Sequence, residues 1–193
     1  MVETRTRQFP LLTALTLTLS TAGTLTRLAG TGVLDALRRD PTALRHGQVW
    51  RLITPVLVQS DHSAVVVIEV FVLCAVVGTI GERVLSRGEW LALYVTGAIV
   101  GHTIGEFFQP RQGGTSVAFA GILGGLAAYA LRRDAPVAKV LRVEAALLIP
   151  LAILDTALRD IHGAPFLAGL LVAQLWHTTR ARPGVHERQR LEQ

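Results

Sequence analysis

The chain has 193 residues, 50% of them hydrophobic, and a formal net charge of +5. Its mean hydropathy of +0.44 is too apolar for an ordinary soluble domain of this size. The arginines fall in short breaks between apolar runs, which argues against a nucleic-acid face and suits the loops of a membrane protein.

Residues 1–8 read as a polar tail, and the first apolar segment runs from Phe9 to Leu28. Arg5 and Arg7 ahead of it also fit a signal peptide, but the run is long for one. The loop from Thr31 to Asp61 contains "VLDALRRDPTALRHGQVWRLITPVLV". Its apolar and charged residues alternate at helical spacing, which predicts amphipathic structure lying in the membrane interface. The second segment is Ser63 to Gly81, the third Glu89 to Phe108 and the fourth Ser116 to Leu131. The fifth runs from about Ala135 to Leu154, with Lys139, Arg142 and Glu144 in its first part, so that end must snorkel or bend. The sixth runs from His162 to Thr178, and 179–193 form a second polar tail. Segments near twenty apolar residues are long enough to span a bilayer. All should be helices, because lipid offers the backbone no partner outside its own segment. The expectation is an all-α membrane protein, a six-helix bundle over residues 9–178. With the N-terminus inside, the inside segments carry twelve of the nineteen Arg and Lys residues and the outside segments seven. That bias predicts both tails, 1–8 and 179–193, in the cytoplasm. Cys74 is the single cysteine, so no internal disulfide forms.

In this topology Ser116 starts the fourth segment on the outer side. Its sixteen residues make a helix about 24 Å long at ~1.5 Å per residue, against a hydrocarbon core of about 30 Å. Arg132 and Arg133 fix the inner end, so Ser116 falls roughly 6 Å below the outer boundary. Irregular backbone at that depth must be packed in protein or line a water-filled cavity. His162 starts the sixth segment at a similar depth. A serine hydroxyl needs a base to become a nucleophile. A helix N-terminus offers free N–H groups to an oxyanion. Gly121, Gly124 and Gly125 on one segment, and Ala168 and Gly169 on the other, would let the two helices approach. Spacing alone leaves a second reading open, with Ser116 a helix N-cap and His162 a polar residue at the interface.

"GGTSVAFAGILGG" resembles the serine helix of the rhomboid intramembrane proteases through Gly114, Ser116, Ala118, Gly121 and Gly124. "HGAPFLAGLL" resembles that family's sixth-helix motif through His162 and Gly169. "GQVWRLITPVLV" is similar to its first-loop element through Trp50 and Arg51, and "GTIGERVLS" to the end of its second helix through Gly78 and Glu82. The resemblance covers about Gly47 to Leu171 and implies a six-helix bacterial rhomboid core. It implies a serine endopeptidase with a Ser116–His162 dyad, no cofactor and no metal, in the bacterial plasma membrane. Its substrates would be transmembrane segments of other proteins, reached from the lipid bilayer. Gly114, Val117 and His62 would lie at the oxyanion hole. Val117 stands where the family usually has Gly. Val66 follows His62 by four residues and leaves the family's second-helix Asn without a counterpart.

The polar pair His102 and Glu106, four residues apart, shares a helix face inside a span. It reads as structural or cavity-lining, and lacks the motif of a metal site. Trp50, Arg51 and Glu82 receive the same structural or cavity-lining expectation. Asp160 reads as a cap for the sixth helix. Three classes of function follow: the protease, an inert rhomboid-like protein that binds membrane helices, and a small transporter. The last lacks inverted repeats.

Overall fold

The computed structural model describes residues 9–26, 32–61, 63–132, 135 and 139–180. The expected tail 1–8, nearly all of the tail 179–193, and His62 lie outside the described residues. Eight helices are present among those described: α1 (Leu11–Leu25), α2 (Val33–Leu37), α3 (Pro41–Arg45), α4 (Ala64–Val84), α5 (Arg87–Phe108), α6 (Ser116–Leu131), α7 (Lys139–Ala157) and α8 (Gly163–Arg180). Helix α6 is central and packs on α4, α5, α7 and α8, while α1 packs on α4.

Local chemistry sets the helix starts. Ser63 and Ser86 are N-caps of α4 and α5 and accept bonds from Val66 and Glu89 N–H. Asp40 caps α3 ahead of Pro41, and the Ala43 amide holds its carboxyl below the usual carboxylate range. Helix α1 starts after Pro10 with no cap of its own. Its free amides are satisfied from another helix. Glu82 of α4 accepts from Leu12 N–H at 3.1 Å, Thr13 N–H at 2.7 Å and Thr13 Oγ1 at 2.6 Å. An anion at a helix N-terminus is favourable, so Glu82 ties α1 to α4.

The packing inverts that of a soluble protein. Val65, Ile68, Val72, Leu73, Val76 and Ile80 of α4 are exposed, while Cys74, Gly78 and Gly81 face inward. With lipid outside, large apolar residues lose nothing by facing out, and small ones let helices approach. By length and composition only α4 and α5 among the described helices suffice to cross a membrane; α1 and α6 are apolar but have 15 and 16 residues. A short α6 is tolerable because protein surrounds it on every side. Helix α7 is described from Lys139 onward, and Ala135 itself is not helical. Ala135 lends its carbonyl to Arg142 Nη2 at 2.7 Å, which ties down the cationic end of this segment.

The first loop is folded. Two 3₁₀ turns, Val49–Leu52 and Thr54–Leu57, follow α3. Arg51 is buried and donates from Nη1 to the carbonyls of Asp35 (2.9 Å) and Arg38 (2.7 Å), and from Nε to Gln48 Oε1 (2.7 Å). Trp50 is exposed, as suits an aromatic ring at a membrane interface. His102 and Glu106 are buried beneath this loop. Arg39, itself buried, reaches His102 Nδ1 with Nη1 at 3.0 Å and the Gln109 carbonyl with Nε at 3.1 Å, and its charge opposes Glu106. The guanidinium can only donate, so His102 carries its proton on Nε2. Burial lowers the Arg39 pKa to about 10, which still leaves it charged at neutral pH. This contact pins the first loop to the outer end of α5.

Candidate active site

The approach to Ser116 is set by two glycines. Gly113 N–H donates to Ser60 Oγ at 2.6 Å, Ser60 N–H to the Gly113 carbonyl at 3.2 Å, and Gly114 N–H to the Pro55 carbonyl at 3.0 Å. A Cβ at Gly113 would come 2.8 Å from Val58 and 3.2 Å from the Pro55 carbonyl, so only glycine fits this backbone pairing. The chain then turns into α6. The N-cap is Thr115, fully buried, with its hydroxyl 2.9 Å from Tyr94 Oη. Ser116 is the first helical residue, so its side chain is not the cap. Its Oγ lies 2.9 Å from His162 Nε2.

His162 is delivered by the turn between α7 and α8. Arg159 adopts φ 66°, Arg159 N–H donates to the Thr156 carbonyl at 3.1 Å, and Asp160 N–H donates to the Asp155 carbonyl at 2.8 Å. This is a Schellman closure with a non-glycine in the left-handed position. Asp160 does not cap the first turn of α8. Its Oδ1 accepts from His162 N–H at 2.8 Å and lies 2.8 Å from His162 Nδ1. The His162 carbonyl accepts from Phe166 N–H at 3.2 Å, which places His162 itself at the helix cap. Pro165 sits in the first turn, where an amide would have no helical partner.

Glycines bring the two helices together. A Cβ at Gly124 would collide with the Phe166 carbonyl of α8, and one at Gly169 with the Gly121 carbonyl of α6. Gly121 also abuts α5, at the Leu93 carbonyl. Gly163 abuts the Ala152 carbonyl of α7.

Ser116 and His162 open onto a cavity of ≈ 430 Å³. Its lining includes the polar Arg39, Gln59, Gln109 and Gln112 and the apolar Val70, Leu73, Val77, Phe119 and Leu123. His102, Glu106, Trp50, Arg51 and Glu82 are not among its lining residues. Gly114 lines it, as does Val117. Val117 is 1% exposed, and the bare face of Gly101 on α5 takes its side chain: a Cβ there would lie 2.5 Å from Val117 Cβ. A branched residue beside the serine is thus absorbed by a neighbouring helix. Ser116 and Val117 N–H occupy the first two positions of α6, where no intrahelical acceptor exists. Val66 is 39% exposed at the start of α4 and has no donor to offer. Gln59 was not singled out by sequence. It is 3% exposed, donates to Asp61 Oδ2 at 2.7 Å, and has its Oε1 3.0 Å from where a Gly114 Cβ would be. Nothing in its local pattern marks it.

The family model of the Rhomboid domain matches residues 46–180, which include the first-loop turns, Ser116 and His162. No curated protein matches the chain.

Proposed function

The chain belongs to the rhomboid family, and from that premise we propose that it is an intramembrane serine protease acting on transmembrane segments of other membrane proteins. The observation that carries the reading is the 2.9 Å contact between Ser116 Oγ and His162 Nε2 on a mostly apolar cavity. Ser116 Oγ attacks the scissile carbonyl carbon, and its proton passes to His162 Nε2 as the C–O bond forms. The carbonyl π pair moves onto oxygen, where the free N–H groups at the start of α6 oppose its charge. His162 returns the proton to the leaving amine as the C–N bond breaks. Water then repeats the sequence on the acyl-enzyme and frees Ser116. No cofactor is needed. The chain would be a multi-pass protein of the bacterial plasma membrane, with both termini cytoplasmic and the site opening outward.

Ser116→Ala, His162→Ala and the double variant should cleave a model transmembrane substrate in proteoliposomes at one common background rate. That rate should be at least about 10³-fold below wild type, because a nucleophile and its base fail as a unit. A fluorophosphonate probe should label wild type and not Ser116→Ala. The second reading is an inert protein that binds membrane helices. The exposed Val66, where a side-chain donor is missing, favours it. Wild type that takes no probe and cuts nothing, yet captures helices in crosslinking, would establish that reading instead.

A further inference from the structure

We propose that Asp160 is a positioning residue for His162, so that the site works as a Ser–His–Asp triad; the catalytic part of this rests on the protease reading above. One oxygen, Oδ1, lies 2.8 Å from both the His162 amide and its ring Nδ1. A carboxylate only accepts, so Nδ1 carries the ring proton. The lone pair is then on Nε2, the atom 2.9 Å from Ser116 Oγ. That is the tautomer a general base for the serine must have, and its proton position follows from the partner at Nδ1.

Helix capping does not account for the contact. Helix α8 begins at Gly163, and the carboxylate reaches the amide of the base instead of an amide within the helix. The bond to the ring is separate from either role. Asp160 is also held in place by its own backbone. The Schellman closure fixes its N–H on the Asp155 carbonyl. Arg159 accepts the left-handed conformation that this turn needs, at a cost of roughly 1–2 kcal/mol for a non-glycine. The Arg159 guanidinium lies 5.9 Å over the Phe108 ring. During the reaction the proton from Ser116 enters at Nε2 while the Nδ1 proton stays on the ring. Asp160 remains ionised and opposes the new imidazolium charge. Both side chains are 43% exposed, so water screens the pair more than in a buried triad.

The test compares Asp160→Asn and Asp160→Ser with wild type. Both replacements keep an oxygen that can accept from the His162 amide, so the turn and the melting temperature should be retained. Both should lower kcat by roughly 10²-fold with KM unchanged, less than the ~10⁴-fold seen for a buried triad carboxylate. Nitrogen-15 NMR of histidine-labelled protein, with His162→Ala to assign the signal, should show the neutral ring protonated on Nδ1 in wild type. In Asp160→Ser, whose shorter side chain leaves the ring bond unmade, it should shift toward the other tautomer, whereas Asp160→Asn keeps an oxygen for Nδ1–H and loses only the charge. Variants within twofold of wild-type kcat, or a wild-type ring protonated on Nε2, would overturn the proposal. If wild type itself proves inactive, the protease reading falls, and the ring-nitrogen signal still decides whether Asp160 sets the tautomer.

Discussion

Val117 shows how one residue's meaning depends on a partner that sequence does not reveal. Beside the serine, a β-branched side chain reads as an obstruction in a place usually given to glycine. Its partner is Gly101, sixteen positions earlier on another helix, where the absence of a Cβ makes the room. Gly101→Ala would put a Cβ 2.5 Å from Val117 Cβ. Overpacking of this kind costs about 1–3 kcal/mol, so the variant should melt lower in detergent. Val117→Ala alone should also lose stability, by leaving a void. The double variant should be more stable than the sum of the two losses predicts, with a coupling of about 1 kcal/mol. Strict additivity in thermal scans would mean that the two residues do not share this space. The same limit explains Asp160 and Gln59. Ser116 and His162 were legible because helix starts can be read from the sequence. A carboxylate's second contact, or a buried amide on a loop, depends on how chain-distant turns meet.

At the scale of the helices, the ends of α4, α5, α6 and α8 lie within three residues of where the apolar runs place them, because Ser63, Ser86 and the Gly113–Gly114 pair punctuate the chain. Hydropathy could not show that Arg142 folds back on Ala135. The glycines of α6 and α8 were legible as a packing seam but not in their directions. Gly124 and Gly169 carry the α6–α8 contact, while the bare face of Gly121 meets α5. Gly124→Ala and Gly169→Ala should therefore each force α6 and α8 apart, costing about 2 kcal/mol or more as backbone atoms cannot yield like a side chain. Gly88→Ala is the control, since its nearest neighbour would be Trp176 at 3.9 Å. Its better helix propensity should leave stability unchanged or raised by up to about 1 kcal/mol. Equal melting temperatures for all three would show that the seam is elsewhere.

For the whole molecule, the first loop, the start of α6 and the turn before α8 all lie at one end of the bundle, because α4 to α8 alternate in direction. The outward faces of α1, α4 and α7 are apolar, including Leu15, Leu19, Ile68, Leu73, Leu147 and Leu151. Such a girdle is stable only against lipid. Which end faces the cytoplasm follows from charge, since Arg and Lys side chains near span ends are retained on the inner side. Twelve of nineteen such residues lie with the termini and the α4–α5 and α6–α7 turns, and four of the other seven in the long first loop, where the rule is weaker. The orientation can be tested after replacing Cys74, with single cysteines placed at exposed positions of each end. Arg45→Cys, on α3 in the first loop, should react with a membrane-impermeant maleimide in intact cells. Arg87→Cys, at the start of α5, should react only after the membrane is permeabilised. The reverse pattern would put the candidate site on the cytoplasmic side, and substrates would then have to present their inner ends to Ser116.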